Sequence, residues 1–369
     1  MNLLVVSKVP VGGIRTYMRY VYAQMPSDVH ITVVAESDRE QDSLEKDVEG
    51  FGGRLVACPP GKMGLLKGIW SELMKGDYDV IQSHGYKSCA YAAVANLFHR
   101  IPHVTTIHGV IERRFLTGAL GKVKEGLLKW SLAQADKVNF VGEDIGEHVK
   151  AEMPFLQDSS KCVVITNGID TEWFAASEGD SDKLLKELEI SDSFVLGFLG
   201  RFMPQKGLDI LIDALKIWKK STPSDSLVVL CCGSGDYEKE YKELVKENGL
   251  DTYIRFIPFR RDPRDVYYAS DAIVMPSRWE AYSLVTAEAL SCGRPLIASD
   301  CIGLREAVEK TPALSFPSED AEALAGCIQR VLAEDMKPIF KEYQKEAVER
   351  YHVRKTAAQL ADLFRDMAK

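Results

Sequence analysis

The chain has 369 residues, about two and a half times a typical ~150-residue domain, so two domains are expected. Hydrophobic residues at 46% and charged residues at 27% supply a sizeable core and exclude global disorder. With 46 basic against 54 acidic residues the net charge is −8, which excludes a dedicated duplex-DNA binder, and no apolar run approaches the ~18–20 residues of a membrane span.

The N-terminal stretch Met1–Gly13 is too briefly apolar for a secretory signal, has no basic residues before its apolar run, and reads as a first buried strand. Strands are expected at Leu3–Val6, Ile31–Val34, Val80–Gln82, Val104–Ile107, Val138–Val141 and Val163–Ile165, with helices such as Ile14–Gln24 and Leu120–Gln134 between them. A polar, acidic stretch follows, taken as a linker over 171–192. The alternation resumes with strands at Phe194–Leu199, Leu227–Cys232, Ile254–Phe256, Ala272–Met275 and Pro295–Ala298. Helices are expected at Gly207–Lys219, Tyr237–Asn248, Tyr282–Cys292 and Ala321–Ala333, then over Pro338–Ala368. Strand–helix alternation twice over predicts two open α/β domains with mainly parallel sheets. The expected domains are 1–170, 193–350 and a terminal helix over 351–369 that packs back on the first domain. The eight cysteines form no C-x-x-C pair and read as buried structural thiols of a reducing compartment, in keeping with a cytoplasmic protein.

Ligands of open α/β sheets sit at the carboxyl ends of the strands, which directs attention to the following loops. Gly12 and Gly13 open the first helix, where backbone can approach an anion closely; a tight strand–helix turn leaves the same signature. No G-x-G-x-x-G occurs there, which disfavours hydride chemistry. Arg201 and Lys206, each beside a glycine, suit a diphosphate or a solvated loop. The most informative segment is Ser277–Leu290. Glu280 falls on its loop and Glu288 in the following helix, and the amides of Ser283, Leu284 and Val285 open that helix toward an anion.

This E-x7-E pair, followed by Ala289–Ala298, resembles the retaining family 4 glycosyltransferases of the GT-B fold. Further landmarks occur in family order: Gly12-Gly13, Ser83–Lys87, Thr106–Gly109, Asn167–Asp170, Gly200-Arg201 with Lys206-Gly207, and Gly233–Gly235. The resemblance implies two Rossmann-like parallel-sheet domains facing an interdomain cleft. It implies that Arg201 and Lys206 neutralise a donor diphosphate with the amides at Ser283–Val285 and the Gly12-Gly13 loop, and it puts Gly233 at the donor site. Glu280 would hold hydroxyls of the transferred sugar, Glu288 those of the ribose, and His108 would lie over the sugar. His84 stays open between closing a strand and serving the site. Ser83–Lys87 looks like bacterial members that build exopolysaccharide or lipopolysaccharide.

Departures from the family pattern fall at Ile302-Gly303-Leu304, which puts phosphate contacts there in doubt, and at Ile257-Pro258-Phe259, which bears on base recognition; Ser283 replaces the commoner glycine. Asp77-Tyr78-Asp79 looks like the D-x-D metal motif of another transferase fold but precedes a buried strand, and no metal or cofactor is expected beyond a UDP- or GDP-sugar as substrate. Between Pro59 and Trp130, ten basic and five acidic residues leave +5. Stretches 62–75 and 113–130 interleave these charges with apolar residues, as an anionic membrane surface or ordinary solvated helices would require. The expected activity is metal-independent retaining transfer of a hexose-type sugar from a nucleoside diphosphate to a saccharide or lipid-linked hydroxyl, at the inner face of the plasma membrane if those helices dock. A non-catalytic nucleotide-sugar-binding subunit, an epimerase and a phosphorylase are the alternatives.

Overall fold

The computed structural model describes residues 1–37, 41–176, 181–221 and 226–369, which divide into two compact units. The first comprises 1–168 together with 353–369, and the second comprises 169–352.

The N-terminal unit has strands β1 (Asn2–Ser7), β2 (His30–Glu36), β3 (Arg54–Cys58), β4 (Val80–His84), β5 (His103–Ile107), β6 (Lys137–Phe140) and β7 (Cys162–Val164). All pair in parallel, in the order β3-β2-β1-β4-β5-β6-β7. Its helices are α1 (Gly13–Tyr22), α2 (Gln41–Gly50), α3 (Lys62–Leu73), α4 (Gly85–Ala95), α5 (Gly118–Gln134) and α6 (Glu143–Glu152). Alternate residues of β1 face opposite sides of the sheet. Leu3 and Val5 pack with Tyr17, Met18 and Val21 of α1, while Leu4 and Val6 pack with Leu65 and Ile69 of α3 and Ala92 of α4. The strand order reverses beside β1, at the β1–β4 junction, where such sheets open for a ligand.

The C-terminal unit begins with α7 (Thr171–Ala175) and α8 (Ser181–Glu187), then has strands β8 (Phe194–Leu199), β9 (Leu227–Gly233), β10 (Ile254–Pro258), β11 (Ala272–Met275), β12 (Leu296–Ser299) and β13 (Leu314–Phe316). The order is β10-β9-β8-β11-β12-β13, again all parallel. Helices α9 (Leu208–Ser221), α10 (Glu238–Glu247), α11 (Arg264–Ala269), α12 (Leu284–Ser291), α13 (Leu304–Val308), α14 (Ala321–Ala333) and α15 (Lys337–Arg350) complete the unit. A core cluster gathers β8 and β9 with Leu211, Leu215 and Trp218 of α9 and Leu324 and Ile328 of α14.

One expectation is corrected. The stretch 171–192 is not a linker: Leu184 of α8 is buried, and Leu185, Leu188 and Ile190 pack against Val195, Val228 and Leu230. Spaced leucines outweigh the acidic composition that suggested a linker, while residues 177–180 lie outside the described residues. The helical stretch expected over Pro338–Ala368 holds two helices. It divides into α15 and α16 (Val353–Met367) because His352 leaves helical geometry to bridge Ile169, whose amide donates to the Tyr351 carbonyl. Leu360 and Phe364 of α16 join the core of the N-terminal unit. No helix among the described residues is long and apolar enough to cross a membrane.

Candidate active site

In the C-terminal unit the predicted groups gather at the carboxyl ends of β8, β9 and β11. Lys206 lies in the turn after β8, and Gly207 follows it with φ +68°. A Cβ at Gly207 would stand 1.9 Å from the Pro276 carbonyl oxygen, so only glycine lets this turn press against the segment leaving β11. That approach brings Lys206 Nζ to 2.6 Å from Glu280 Oε1. Ser277 Oγ donates to the same carboxylate oxygen at 2.8 Å. Arg278 forks onto Asp209 at 2.9 and 2.6 Å and donates to the Pro204 carbonyl, while Gln205 Nε2 donates to the Trp279 carbonyl at 3.0 Å. These bonds stitch the two loops together and hold the Lys206–Glu280 pair in a fixed geometry.

The backbone of Glu280 is held from the other side, its amide donating to the Ile302 carbonyl at 2.9 Å. A Cβ at Gly303 would lie 2.2 Å from the Glu280 carbonyl oxygen. The Ile302-Gly303 departure therefore retains the one glycine that this close approach requires.

Glu288 lies further along α12 and is nearly buried, with Tyr267 donating its hydroxyl to Oε2 at 2.5 Å. Ser283 precedes α12, and its side chain makes no capping bond to the helix; its hydroxyl faces the Met275 sulfur instead. The opening amides of α12, at Ser283, Leu284 and Val285, thus keep their donors for another acceptor. Arg201 is exposed, its side chain without a hydrogen bond or ion pair among the described residues, and the Lys206 stem runs past Gly200. Gly233 ends β9, where a Cβ would meet the Gly200 carbonyl oxygen at 1.9 Å.

The N-terminal unit presents rings rather than charges. His108 follows β5, and its Nε2 lies 2.8 Å from Nδ1 of His84, the last residue of β4. His84 Nε2 lies 2.6 Å from the Tyr22 hydroxyl, which donates to Gln82 Oε1 at 2.7 Å, and Gln82 Nε2 donates to Thr106 Oγ1 at 2.9 Å. With the Gln82 amide so oriented, the Tyr22 oxygen accepts from His84 Nε2–H, and His84 Nδ1 accepts from His108 Nε2–H. The lone pair of His108 Nδ1 is then left for an incoming hydroxyl. Burial pushes His108 down to about 3, and burial together with the facing His108 ring lowers His84 well below the ordinary imidazole range. Both rings are neutral at physiological pH. Tyr17 of α1 meets the rings of His84 and His108 edge-on at 5.4 and 5.0 Å. The helix that Gly12 and Gly13 open is thereby packed against His108, and a Cβ on Gly13 would meet nothing within 4 Å.

Sequence reasoning missed Tyr267, Ser277, Tyr22 and Gln82 as partners. Ser277 stands inside the motif, three residues before Glu280, but nothing in the pattern marks a distant tyrosine as the partner of Glu288. The D-x-D look-alike lies at the amino ends of the central strands, where Asp79 Oδ2 accepts from the Asn2 amide at 2.7 Å. This carboxylate starts β1 and is remote from the ligand-facing strand ends. All eight cysteines are free thiols.

The chain matches the family described as Glycosyltransferase Family 4 over residues 11–173 and that described as Glycosyl transferases group 1 over residues 193–334. It is 28% identical to a D-inositol 3-phosphate glycosyltransferase of Saccharomonospora viridis, the alignment covering 79% of this chain and 70% of that protein. It is 27% identical to one from Corynebacterium glutamicum, covering 94% of this chain and 86% of that protein. Among solved structures, Anabaena Alr3699/HepE in complex with UDP-glucose superposes with a TM-score of 0.83 at 22% identity, covering 99% of this chain and all of that one. The chain is a glycosyltransferase of the GT-B fold and belongs to family 4.

Proposed function

We propose that the protein transfers a hexose-type sugar from a nucleoside diphosphate to a hydroxyl of a lipid-linked saccharide, with retention at the anomeric carbon and without a metal, in bacterial exopolysaccharide or lipopolysaccharide synthesis. The observation that carries the reading is the Lys206–Glu280–Ser277 cluster, set beside exposed Arg201 and the uncapped start of α12. Two cations and a row of amides are the groups a departing diphosphate needs, and together they supply the charge compensation a divalent ion would otherwise give. The UDP-glucose in the Anabaena structure supports the donor class by analogy.

In this mechanism Arg201 and Lys206 take up the charge that builds on the diphosphate as the glycosidic bond lengthens. Glu280 accepts hydrogen bonds from the sugar and Glu288 from the ribose. Gly12, Gly13 and Gly233 let backbone approach the donor. His108, neutral and with Nδ1 as acceptor, orients a sugar hydroxyl and has no proton to give at that atom. The acceptor hydroxyl attacks the face that the diphosphate leaves, and a donor phosphate oxygen takes its proton. Catalysis is then positioning and electrostatics. Phe259, exposed just beyond β10, gives the base region an aromatic face in place of the usual small turn.

A second acceptor reading, a phosphorylated polyol, is favoured by the relatives named for D-inositol 3-phosphate. The test is nucleotide release from UDP-, GDP- and ADP-sugars in EDTA, with a crude lipid extract or inositol phosphate as acceptor and the product anomer read by NMR. Release from one donor, stimulated by lipid and giving the retained anomer, is expected. Stimulation by inositol phosphate alone would move the acceptor to the polyol. Binding without release from any donor would favour a non-catalytic subunit, and inversion or a metal requirement would overturn the mechanism.

A further inference from the structure

We propose that the flank of the N-terminal unit formed by α3, α4 and α5 docks on an anionic lipid surface. The proposal deepens the reading of a lipid-linked acceptor but does not depend on transfer, because lipid binding is measured without donor.

The first observation is where exposed apolar side chains lie. Of the fifteen large hydrophobic residues that are exposed among the described residues, nine fall on α3 or the residue after it, on α5, and at the end of α4 with the turn after it. Helix α3 is apolar on two sides: Leu65 and Ile69 are sealed in the core, while Met63 and Trp70, with Met74 just beyond the helix end, recur at helical spacing on the outer side. Met63 is 61% exposed and Met74 is 64% exposed, and Trp70 meets Phe98, itself 80% exposed, edge-on at 6.2 Å. On α5, Leu120, Val123 and Leu127 form a second outward stripe, exposed by 68%, 68% and 49%. Water-facing helix sides are ordinarily polar, and apolar residues gathered like this mark an interaction surface.

Charge identifies the partner. Ten basic against five acidic residues give Pro59–Trp130 a net +5 in a chain of −8, so the remaining residues sum to −13. Three of the five acids are ion-paired, Glu72 with Arg54 and Lys75, Glu112 with Arg114 and Glu125 with Lys129. Lys67, among the outer residues of α3, and Lys122 and Lys124, flanking the α5 stripe, make no ion pair among the described residues. The side chain of Lys62, part of the predicted basic stretch, lies outside the described residues. Lysines interleaved with exposed apolar residues, with a tryptophan beside them, match the boundary between acyl chains and anionic headgroups. A protein partner would need a complementary acidic and apolar face; a bilayer supplies both over any area.

The test is co-sedimentation of the full chain with vesicles of phosphatidylcholine alone or with 30 mol% phosphatidylglycerol. Binding is expected on the anionic vesicles and at least about tenfold weaker on the neutral ones and in high salt, because several lysines near such a surface each add to the attraction and salt screens it. The variant L120S/V123S/L127S changes only exposed positions and should reduce binding to background. I339S, an exposed apolar change in the C-terminal unit, should leave it unchanged. Brominated lipid should quench fluorescence in the wild type and not in W70F. Absence of binding, equal binding by the triple variant, or a dimer in sedimentation velocity that the triple variant abolishes would overturn the proposal, the last by assigning the flank to a second copy of the chain.

Discussion

The two units bring different chemistry to the ends of similar sheets. The C-terminal unit pairs ions: Lys206 with Glu280, Arg278 with Asp209, and Glu288 under a tyrosine hydroxyl. The N-terminal unit offers a relay of neutral groups, His108–His84–Tyr22–Gln82, with no charged side chain in it. In the proposed mechanism the contrast follows from what each has to hold. A diphosphate carries charge that grows during reaction and calls for cations and amides fixed in advance. A sugar is neutral, and a charged imidazole beside an oxocarbenium-like centre would oppose the reaction. Burial that keeps His108 and His84 unprotonated suits the second task as fixed ion pairs suit the first.

Substitutions can break this division. The largest effect is expected from Glu280→Ala, which removes the proposed sugar contact and leaves the Lys206 ammonium without its carboxylate. Turnover should fall by about 10³-fold while nucleotide affinity, measured by titration calorimetry, stays within a few-fold. Near wild-type rates would refute the role of Glu280. A smaller change is expected from Tyr267→Phe, which strips one hydrogen bond from a carboxylate; KM for the donor should rise roughly tenfold with kcat little altered. A fall in kcat at constant KM would place Glu288 at the chemical step instead. Smaller again is Tyr22→Phe, which removes the acceptor for His84 Nε2–H, with kcat expected to fall roughly threefold. Two-bond ¹H–¹⁵N spectra should show Nε2–H tautomers for His84 and His108 in the wild type and a mixed tautomer at His84 in the variant. An Nδ1–H signal at His108 in the wild type would reverse the relay.

The neutral rings also predict a pH dependence of stability. His108 and His103 are depressed by burial to about 3 and about 4, and His84 is lowered in the same direction. The unfolded chain takes up these protons below pH ~6.5 while the folded chain does not, so stability falls as pH drops from ~6.5 toward the folded values. Each histidine contributes up to about 1.4 kcal/mol per pH unit in that window. Urea unfolding at pH 6.5 and 5.0 should show the loss, and equal stabilities would mean that the rings are protonated in the folded chain.

Most of the C-terminal site was legible because its groups are close in sequence: Glu280, Ser283 and Glu288 share one loop and helix, and glycines mark where backbones must touch. The N-terminal relay was only half legible. His108 and His84 stand at strand ends, but Tyr22 and Gln82 reach them across the sheet, and no local pattern encodes that distance. Strand β3 escaped notice because it is short and half exposed at the sheet edge, so its apolar content is diluted. Helix α8 was hidden by its charges, its few leucines sufficing to bury one side.

The most direct test compares Lys206→Ala with His108→Ala, measuring nucleotide affinity and kcat for each on the donor that the wild type uses. If charge is handled by one unit and sugar orientation by the other, Lys206→Ala should weaken nucleoside diphosphate binding roughly tenfold or more and also slow turnover. His108→Ala should leave that affinity within about twofold and lower kcat by about 10². Equal losses of nucleotide affinity in the two variants would contradict the division of labour.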